Sequence, residues 1–354
     1  MSALLRVLAP GLMTTVQDLG RPGFQHLGVP VSGALDPISL RAANLLVGNP
    51  PGAAALEMAY QGPTLAVEAD SVRVALAGGR APAEILAPDG DGSAARRLAP
   101  FESIRLVRGQ RLRIGAPAGS AVVYLAIEGS FDIAPVLGSL STLTRAAIGG
   151  FEGRALRAGD ALPLGLETVA EREERMLPPP SLAPPARIRI VLGPQDDYFT
   201  PAGLATLLGS TYTVSRASDR MGMRLEGPSL EHSSKGYNIV SDGIAPGSIQ
   251  VPGNGLPIVL LADRQTTGGY PKIATVISAD IPALGRMMPG SKVAFAAVGI
   301  EAAEAAAREL AAEIAAMAQR LAPVRREPVI DASRLMGENL VSGVVNAREA
   351  SPGA

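Results

Sequence analysis

Short apolar runs separated by glycine and proline are the feature that most restricts the fold of this chain. The 354 residues include 40 Gly and 30 Pro, and Val, Ile and Leu fill short runs such as residues 72–76, 122–127 and 273–277. Short runs between turn-forming residues are typical of buried strands, whereas helices need longer segments with a helical period. The sequence therefore predicts a mainly β fold with many turns and a few helices.

Three helices have clear boundary signals in the sequence. Asp36 followed by Pro37 is an N-cap with proline in the first turn, and Gly48 lies where a C-terminal cap belongs. Thr200 begins a second, short helix in the same way. Residues 301–321 form an alanine-rich third helix with one apolar stripe, which we expect to pack against the body of the protein.

A charged run followed by a proline-rich tract divides the chain at residues 171–187. Prolines in series favour an extended and stiff linker, and a chain of this length is long enough for two domains. We therefore predict an N-terminal β-rich domain over residues 1–170 and a C-terminal β domain over 188–300. Residues 301–354 then hold the alanine-rich helix and an apolar tail that docks on the body.

Composition excludes several classes of partner and chemistry. The formal net charge is -1, aromatic residues make up 3% of the chain, and there is no Trp, so neither nucleic acid nor a membrane surface is expected as a partner. The absence of Cys excludes thiol nucleophiles and disulfides. His26 and His232 lie far apart in sequence, so no metal site is predicted. No stretch resembles a membrane span or a signal peptide, which predicts a cytoplasmic location.

Three common catalytic motifs are missing from the sequence. It contains no Gly-x-x-x-x-Gly-Lys-Ser/Thr loop for nucleotide phosphates and no Gly-x-Ser-x-Gly nucleophile elbow. No lysine lies in the Met-Lys-Met context of biotin attachment, so this chain is not itself a biotin carrier.

Polar side chains instead gather in four glycine-containing clusters, at residues 17–26, 218–225, 241–250 and 263–272. The last cluster lies between two apolar runs and carries far more functional groups than a turn requires. It is either a ligand-binding loop held on two strands or a long hairpin with a solvated tip. Each of the other three clusters, taken alone, is also explained by an ordinary structural role, such as a salt-bridged loop or a turn.

Taken in order, these clusters resemble the biotin-dependent carboxyltransferase family, also called the allophanate hydrolase subunit 2-like family. It includes the C subunit of prokaryotic 5-oxoprolinase, the KipA proteins and the carboxyltransferase region of urea carboxylase. The shared motifs include Thr-Thr-Val-Gln-Asp-Leu-Gly-Arg-Pro-Gly at 14–23, Ser-Asp-Arg-Met-Gly-Met-Arg-Leu at 218–225 and Asp-Arg-Gln-Thr-Thr-Gly-Gly-Tyr-Pro-Lys at 263–272. The resemblance extends over residues 5–298, and the tail motif at 339–345 also resembles the family.

The resemblance implies two β-barrel-like domains of the cyclophilin-like class. It also implies a subunit of an ATP-dependent cyclic amide hydrolase, inactive without partner subunits, that opens 5-oxoproline to glutamate. The implied partners are a KipI-like protein, which is the B-type component of 5-oxoprolinase, and a LamB/YcsF-like protein, which is the A-type component, with ATP bound in the complex. Two alternatives fit the same family. One is a carboxyltransferase component of a urea carboxylase-like enzyme with biotin on another chain, and the other is a KipA-like regulator that binds a KipI-like partner.

Eight residues of the matching clusters are the predicted site, and we expect them to meet between the two domains. Lysine and tyrosine transfer protons when their surroundings lower the pKa, and arginine suits a carboxylate or phosphate. The predicted catalytic residues are Lys272, Tyr270, Asp18 and His26. The predicted substrate-binding residues are Arg21, Arg220, Gln265 and Thr266.

Four positions depart from the family pattern. Val122 and Leu140 stand where the family usually has arginine, Ser130 where it has glycine, and Arg286 where it has glutamine. Losing two arginines predicts the loss of an anion contact in the N-terminal domain. This favours a substrate other than 5-oxoproline or a divergent paralogue.

Overall fold

The computed structural model describes residues 3–88 and 94–324. Strands dominate this part of the chain, with four α-helices among them. The predicted mainly β fold with a few helices is confirmed. Residues Met1–Pro323 form one compact unit.

Two antiparallel sheets form most of residues 3–187, which we call the N-terminal part. The first has the spatial order β11, β1, β4, β9, β6, β7. Its strands are β1 (Leu4–Ala9), β4 (Thr64–Val67), β6 (Ala83–Leu86), β7 (Ala94–Arg97), β9 (Arg111–Ile114) and β11 (Ala161–Pro163).

The second sheet has the spatial order β2, β3, β10, β5, β8, β12, β22. Its strands are β2 (Met13–Gln17), β3 (Ala55–Ala59), β5 (Ser71–Arg80), β8 (Glu102–Val107), β10 (Ala118–Ile127), β12 (Arg175–Met176) and β22 (Ala322–Pro323). Apolar side chains of both sheets, such as Val7 and Leu125, pack into one core.

Helix α1 (Pro37–Val47) covers the outer face of the second sheet. Asp36 caps it, because its Oδ1 accepts hydrogen bonds from the N–H groups of Ile38 and Ser39 at 3.1 and 3.3 Å. Gly48 ends it in the left-handed region at φ 84°. The predicted cap and stop are confirmed. A second core forms between this helix, the sheet and Met317.

Seven strands close into a barrel over residues 188–297, which we call the barrel part. Their spatial order is β13, β20, β17, β18, β15, β14, β21. The strands are β13 (Ile188–Leu192), β14 (Thr211–Val214), β15 (Gly222–Glu226), β17 (Ser248–Gln250), β18 (Ile258–Leu260), β20 (Lys272–Val276) and β21 (Lys292–Ala297). Two helices belong to it, α2 (Pro201–Gly209) and α3 (Ile281–Arg286), and a two-stranded sheet joins β16 (Asp242–Gly243) to β19 (Thr267–Gly268).

The barrel order excludes the hairpin interpretation of residues 263–272. Strands β18 and β20 flank this segment in sequence, but β17 lies between them and pairs with both. The segment therefore crosses the end of β17, and its Thr267 and Gly268 pair with Gly243 and Asp242. Glycines at both ends of residues 11–28 predict a loop over this segment, and that prediction is wrong in part because β2 lies within it.

Helix α4 (Ile300–Ala316) continues into a 3-10 turn over Met317–Arg320, close to the predicted helix. Its apolar stripe packs against the body, with Met317 1% exposed. The predicted linker includes β12, which pairs with β8 and β22, and the domain division stays a prediction. The predicted docking tail and its 339–345 motif lie outside the described residues. Within residues 3–88 and 94–324, no helix has the length and apolar character needed to span a bilayer.

Candidate functional site

A cavity of about 310 Å³ opens between the N-terminal part and the barrel part. We call it the interface pocket. Its wall is mostly apolar, with a few polar groups, and its volume lies at the small end of the range for ligand pockets. The polar residues that line it include Thr15, Glu57, Arg145, Arg220 and Asp263. Val122, which stands where the family usually has arginine, also lines it.

Arg220 joins the two parts at the wall of this pocket. Its guanidinium bonds to Asp263 at 2.8 and 3.0 Å, to the Gly33 carbonyl at 2.6 Å and to Glu57. Burial lowers the pKa of Arg220, but the charges of Glu57 and Asp263 outweigh it and raise the pKa above the usual value. The four hydrogen bonds of the guanidinium use four of its five N–H groups.

Glu57 and Tyr124 extend this network into the N-terminal part. The Tyr124 hydroxyl donates to Glu57 Oε2 at 2.5 Å and accepts from the Asp36 N–H at 2.9 Å. Burial and the nearby charge of Glu57 raise the pKa of Tyr124 well above its usual value, so it stays protonated. Arg286, one of the departures from the family pattern, lies 3.0 Å from Asp36 and so adds a second buried ion pair between the parts.

None of the residues 17–26 of the first predicted cluster lines the interface pocket. Asp18 accepts from Ser139 and Ser141 and from the Leu140 N–H at 2.5–2.7 Å, which fixes that segment. Arg21 is 1% exposed and donates to the Ser141 carbonyl, while its Nε and Nη1 have no partner among the described residues. Burial lowers the pKa of Arg21, against the charges of Asp18 and Asp263. The third candidate, His26, lies on an exposed 3-10 turn.

Lys272 is the most buried of the predicted catalytic residues, at 2% exposed. Its Nζ donates to Asp242 Oδ2 at 2.7 Å, and this bond holds the pKa of Asp242 below its usual value. The pair ties strand β20 to strand β16. Thr266 contributes its backbone carbonyl, which accepts from Ile244.

A second cavity, of about 540 Å³, lies on the barrel part alone, and we call it the barrel pocket. Gln265 and Tyr270 line it, together with Gln250 and Arg224. Gln265 Nε2 donates to Gln250 Oε1 at 3.2 Å, whereas Gln265 Oε1 has no partner among the described residues. The two cavities share Asp219 and Met221.

The structure thus divides the eight predicted residues. Arg220 lines the interface pocket, Gln265 and Tyr270 line the barrel pocket, and the other five line neither. Their roles stay predictions. Val122 lines the interface pocket, while Leu140 packs against the N-terminal core. No group of three or more His, Asp or Glu side chains in the described ranges is arranged to bind a metal.

Glu57, Arg145 and Asp263 line the interface pocket but were not predicted as site residues. Glu57 carries a signal, since it is a carboxylate within the otherwise apolar strand Ala-Leu-Glu-Met-Ala. Asp263 is the first residue of the fourth cluster. Arg145 follows Thr-Leu-Thr and precedes Ala-Ala, and nothing in that context marks it.

The chain belongs to the carboxyltransferase family. Residues 27–297 match the family described as the carboxyltransferase domain, subdomain A and B, which confirms the resemblance seen in the sequence. The chain is 39% identical over 300 residues to the C subunit of 5-oxoprolinase from Escherichia coli (strain K12), a match that covers 85% of this chain and 93% of that protein. It is 30% identical over 323 residues to the urea amidolyase of Lachancea kluyveri, covering 84% of this chain and 17% of that protein.

Two solved structures share the fold. The crystal structure of TTHA0988 matches with a TM-score of 0.73 and 36% identity, over 83% of this chain and 56% of that chain. The crystal structure of the K. lactis urea amidolyase matches with a TM-score of 0.79 and 27% identity, over 93% of this chain and 21% of that chain. This chain therefore spans about half of the first protein and a fifth of the second.

Proposed function

We propose that this chain is a subunit of a 5-oxoprolinase-type complex that opens 5-oxoproline to glutamate with ATP. The observation that carries the proposal is the nearly end-to-end match to a separate subunit, 93% of the Escherichia coli protein. By contrast, the matched region is only 17% of the urea amidolyase chain. A hydrolase subunit of this kind works with partners, here a KipI-like B-type component and a LamB/YcsF-like A-type component, in the cytoplasm.

The chemistry gives each component a task. A five-membered lactam is a poor electrophile, and phosphorylation of its carbonyl oxygen by ATP activates it. Water then adds to that carbon and the lactam C–N bond breaks, which leaves the new carboxyl group as an acyl phosphate. A second water hydrolyses this acyl phosphate, so that 5-oxoproline, ATP and two waters give glutamate, ADP and phosphate. The interface pocket suits the lactam ring, since its wall is largely apolar and includes a few charged groups.

The described residues that line the two pockets do not fit a triphosphate by themselves. Among the described residues that line the two pockets, the cations are Arg145, Arg220 and Arg224. Arg220 is engaged with two carboxylates and Arg145 with one. We therefore propose that partner subunits hold most of the nucleotide, and that this chain contributes the lactam site.

Reconstitution tests this proposal. We expect the purified chain alone to release no glutamate from 5-oxoproline and ATP, and the chain with both partner subunits to release glutamate and ADP together. Avidin, which captures biotin, should leave this turnover unchanged. Failure of all three subunits together to form glutamate would contradict the proposal.

A carboxyltransferase role is the second candidate, because the match to the urea amidolyase structure covers 93% of this chain. In that case a separate biotin carrier delivers the carboxyl group to an amide acceptor. Avidin-sensitive turnover with urea, and none with 5-oxoproline, would favour it over the hydrolase.

A further inference from the structure

The interface pocket has two cations among its described lining residues, Arg145 and Arg220, and only one of them is available to a ligand. Arg220 already makes four hydrogen bonds and is bonded to both Glu57 and Asp263. A ligand anion at Arg220 would also approach these two buried carboxylates, which repel it.

Arg145 has the opposite character. It lies on the 3-10 turn Thr144–Ala146 of the N-terminal part, and its side chain is 64% exposed. One nitrogen, Nη2, donates to Asp219 Oδ2 at 2.7 Å, and Asp219 also lines the pocket. Its Nε and Nη1 donate to no side chain or carbonyl within the described ranges, so two nitrogens remain free for an anion.

Asp219 does not depend on Arg145 to be satisfied. Its Oδ1 accepts from the backbone N–H groups of Met221 and Gly222 at 2.9 and 3.1 Å. Its side chain is 48% exposed, so water can replace the arginine at Oδ2. An exposed ion pair of this kind contributes little to stability, and the exchange of Asp219 for a ligand carboxylate is therefore inexpensive for the protein.

We propose that Arg145 binds the carboxylate of the ligand in the interface pocket, exchanging Asp219 for it when the ligand enters. This deepens the proposed function and rests on it for the identity of the ligand, a small lactam acid. The carboxylate meets the planar guanidinium in a bidentate pair, and the ring contacts the apolar wall. An anion contact thus exists in this pocket although Val122 lines it where the family usually has arginine.

Binding of two matched ligands to the full chain tests the assignment. 5-Oxoproline carries the carboxylate, and 2-pyrrolidone is the same lactam without it. We expect Arg145→Gln to weaken 5-oxoproline binding about 10- to 100-fold, the loss typical of a charge-assisted hydrogen bond. Binding of 2-pyrrolidone should change less than about twofold. Arg157→Gln is the matched control, because Arg157 is exposed in the same part of the chain and lines neither pocket. Asp219→Asn should strengthen 5-oxoproline binding, since it releases Arg145 from its partner.

The outcomes separate the two proposals. If the reconstituted complex forms glutamate but Arg145→Gln leaves the preference for 5-oxoproline over 2-pyrrolidone intact, the Arg145 assignment is wrong and the proposed function stands. If the wild-type chain binds acetate rather than acetamide and loses this preference in Arg145→Gln, while 5-oxoproline is neither bound nor opened, the anion site stands and the proposed substrate is wrong. An equal loss in Arg157→Gln, or no carboxylate preference in the wild-type chain, would overturn the anion site.

Discussion

The interface pocket and the barrel pocket share Asp219 and Met221 but are built in different ways. The interface pocket takes residues from both parts of the chain and is fixed by buried charges, with Glu57, Arg220 and Asp263 in direct contact. The barrel pocket takes all its lining residues from one part, and the neutral amides of Gln250 and Gln265 are bonded to each other in its wall. Buried charges are costly to leave unpaired, whereas neutral amides are less so. The first pocket should therefore depend on one or two side chains, and the second should tolerate change.

Removal of Arg220 is the largest expected effect. Arg220→Ala leaves Glu57 and Asp263 buried without their cation, and we expect a loss of about 3–5 kcal/mol in the free energy of unfolding, measured by urea denaturation. Arg224→Ala is the control, because Arg224 is exposed two residues into β15 and its side chain has no partner within the described ranges. A loss for Arg220→Ala no larger than the loss for Arg224→Ala would mean that the buried charges do not hold the two parts together.

Disruption of the amide pair in the barrel pocket should cost less. Gln250→Leu leaves Gln265 Nε2 without its acceptor, and we expect a loss of about 1–3 kcal/mol in the free energy of unfolding. The double variant Gln250→Leu/Gln265→Leu removes both amides, so its loss should fall below the sum of the two single variants in a double-mutant cycle. Strict additivity would show that the two glutamines act independently.

The smallest expected effect on stability comes from the ion pair between Lys272 and the exposed Asp242. Lys272 holds the pKa of Asp242 below 3.8, so this pair stabilises the fold above the unfolded pKa and loses its effect as the pH falls through the folded value. In Lys272→Met, an NMR titration should find the Asp242 pKa raised towards 3.8. Lys292→Met, whose lysine bonds to Thr213 instead, should leave the Asp242 pKa unchanged. An Asp242 pKa that is the same with and without Lys272 would remove this ion pair as a link between β16 and β20.

Local sequence signals predicted the fold far better than the site. Helix α1 follows from Asp36, Pro37 and Gly48, because caps act within one turn of the helix. Strand β2 was missed because Met-Thr-Thr-Val-Gln lacks the apolar character of a buried strand, although four of its five residues are buried. Gln17 Nε2 donates to the Thr142 carbonyl, 125 residues away in sequence, and a contact of this kind cannot be predicted from the local sequence.

The predicted site residues are divided between two pockets because the local sequence does not show which distant residues meet. Gln265 and Tyr270 lie close in sequence and reach one pocket. Arg220 bonds to Glu57 from 163 residues away, and Arg145 to Asp219 from 74 residues away. Only the register between the two parts of the chain brings these pairs together. Resemblance to the family identified segments that line the two pockets, but the contacts that distinguish one arginine from another appear only in the folded chain.

Strand β22 has a consequence for the order in which the protein is made. Its residues, Ala322 and Pro323, pair with Met176 and Arg175 and form the edge of the second N-terminal sheet. The ribosome synthesises roughly 150 residues between these two strands, which takes on the order of ten seconds. During that time β12 has an unpaired edge, and an unpaired strand edge can pair with a strand of another chain. The barrel part and helix α4 are synthesised before β22, so the second N-terminal sheet can be completed only after the barrel part has been made.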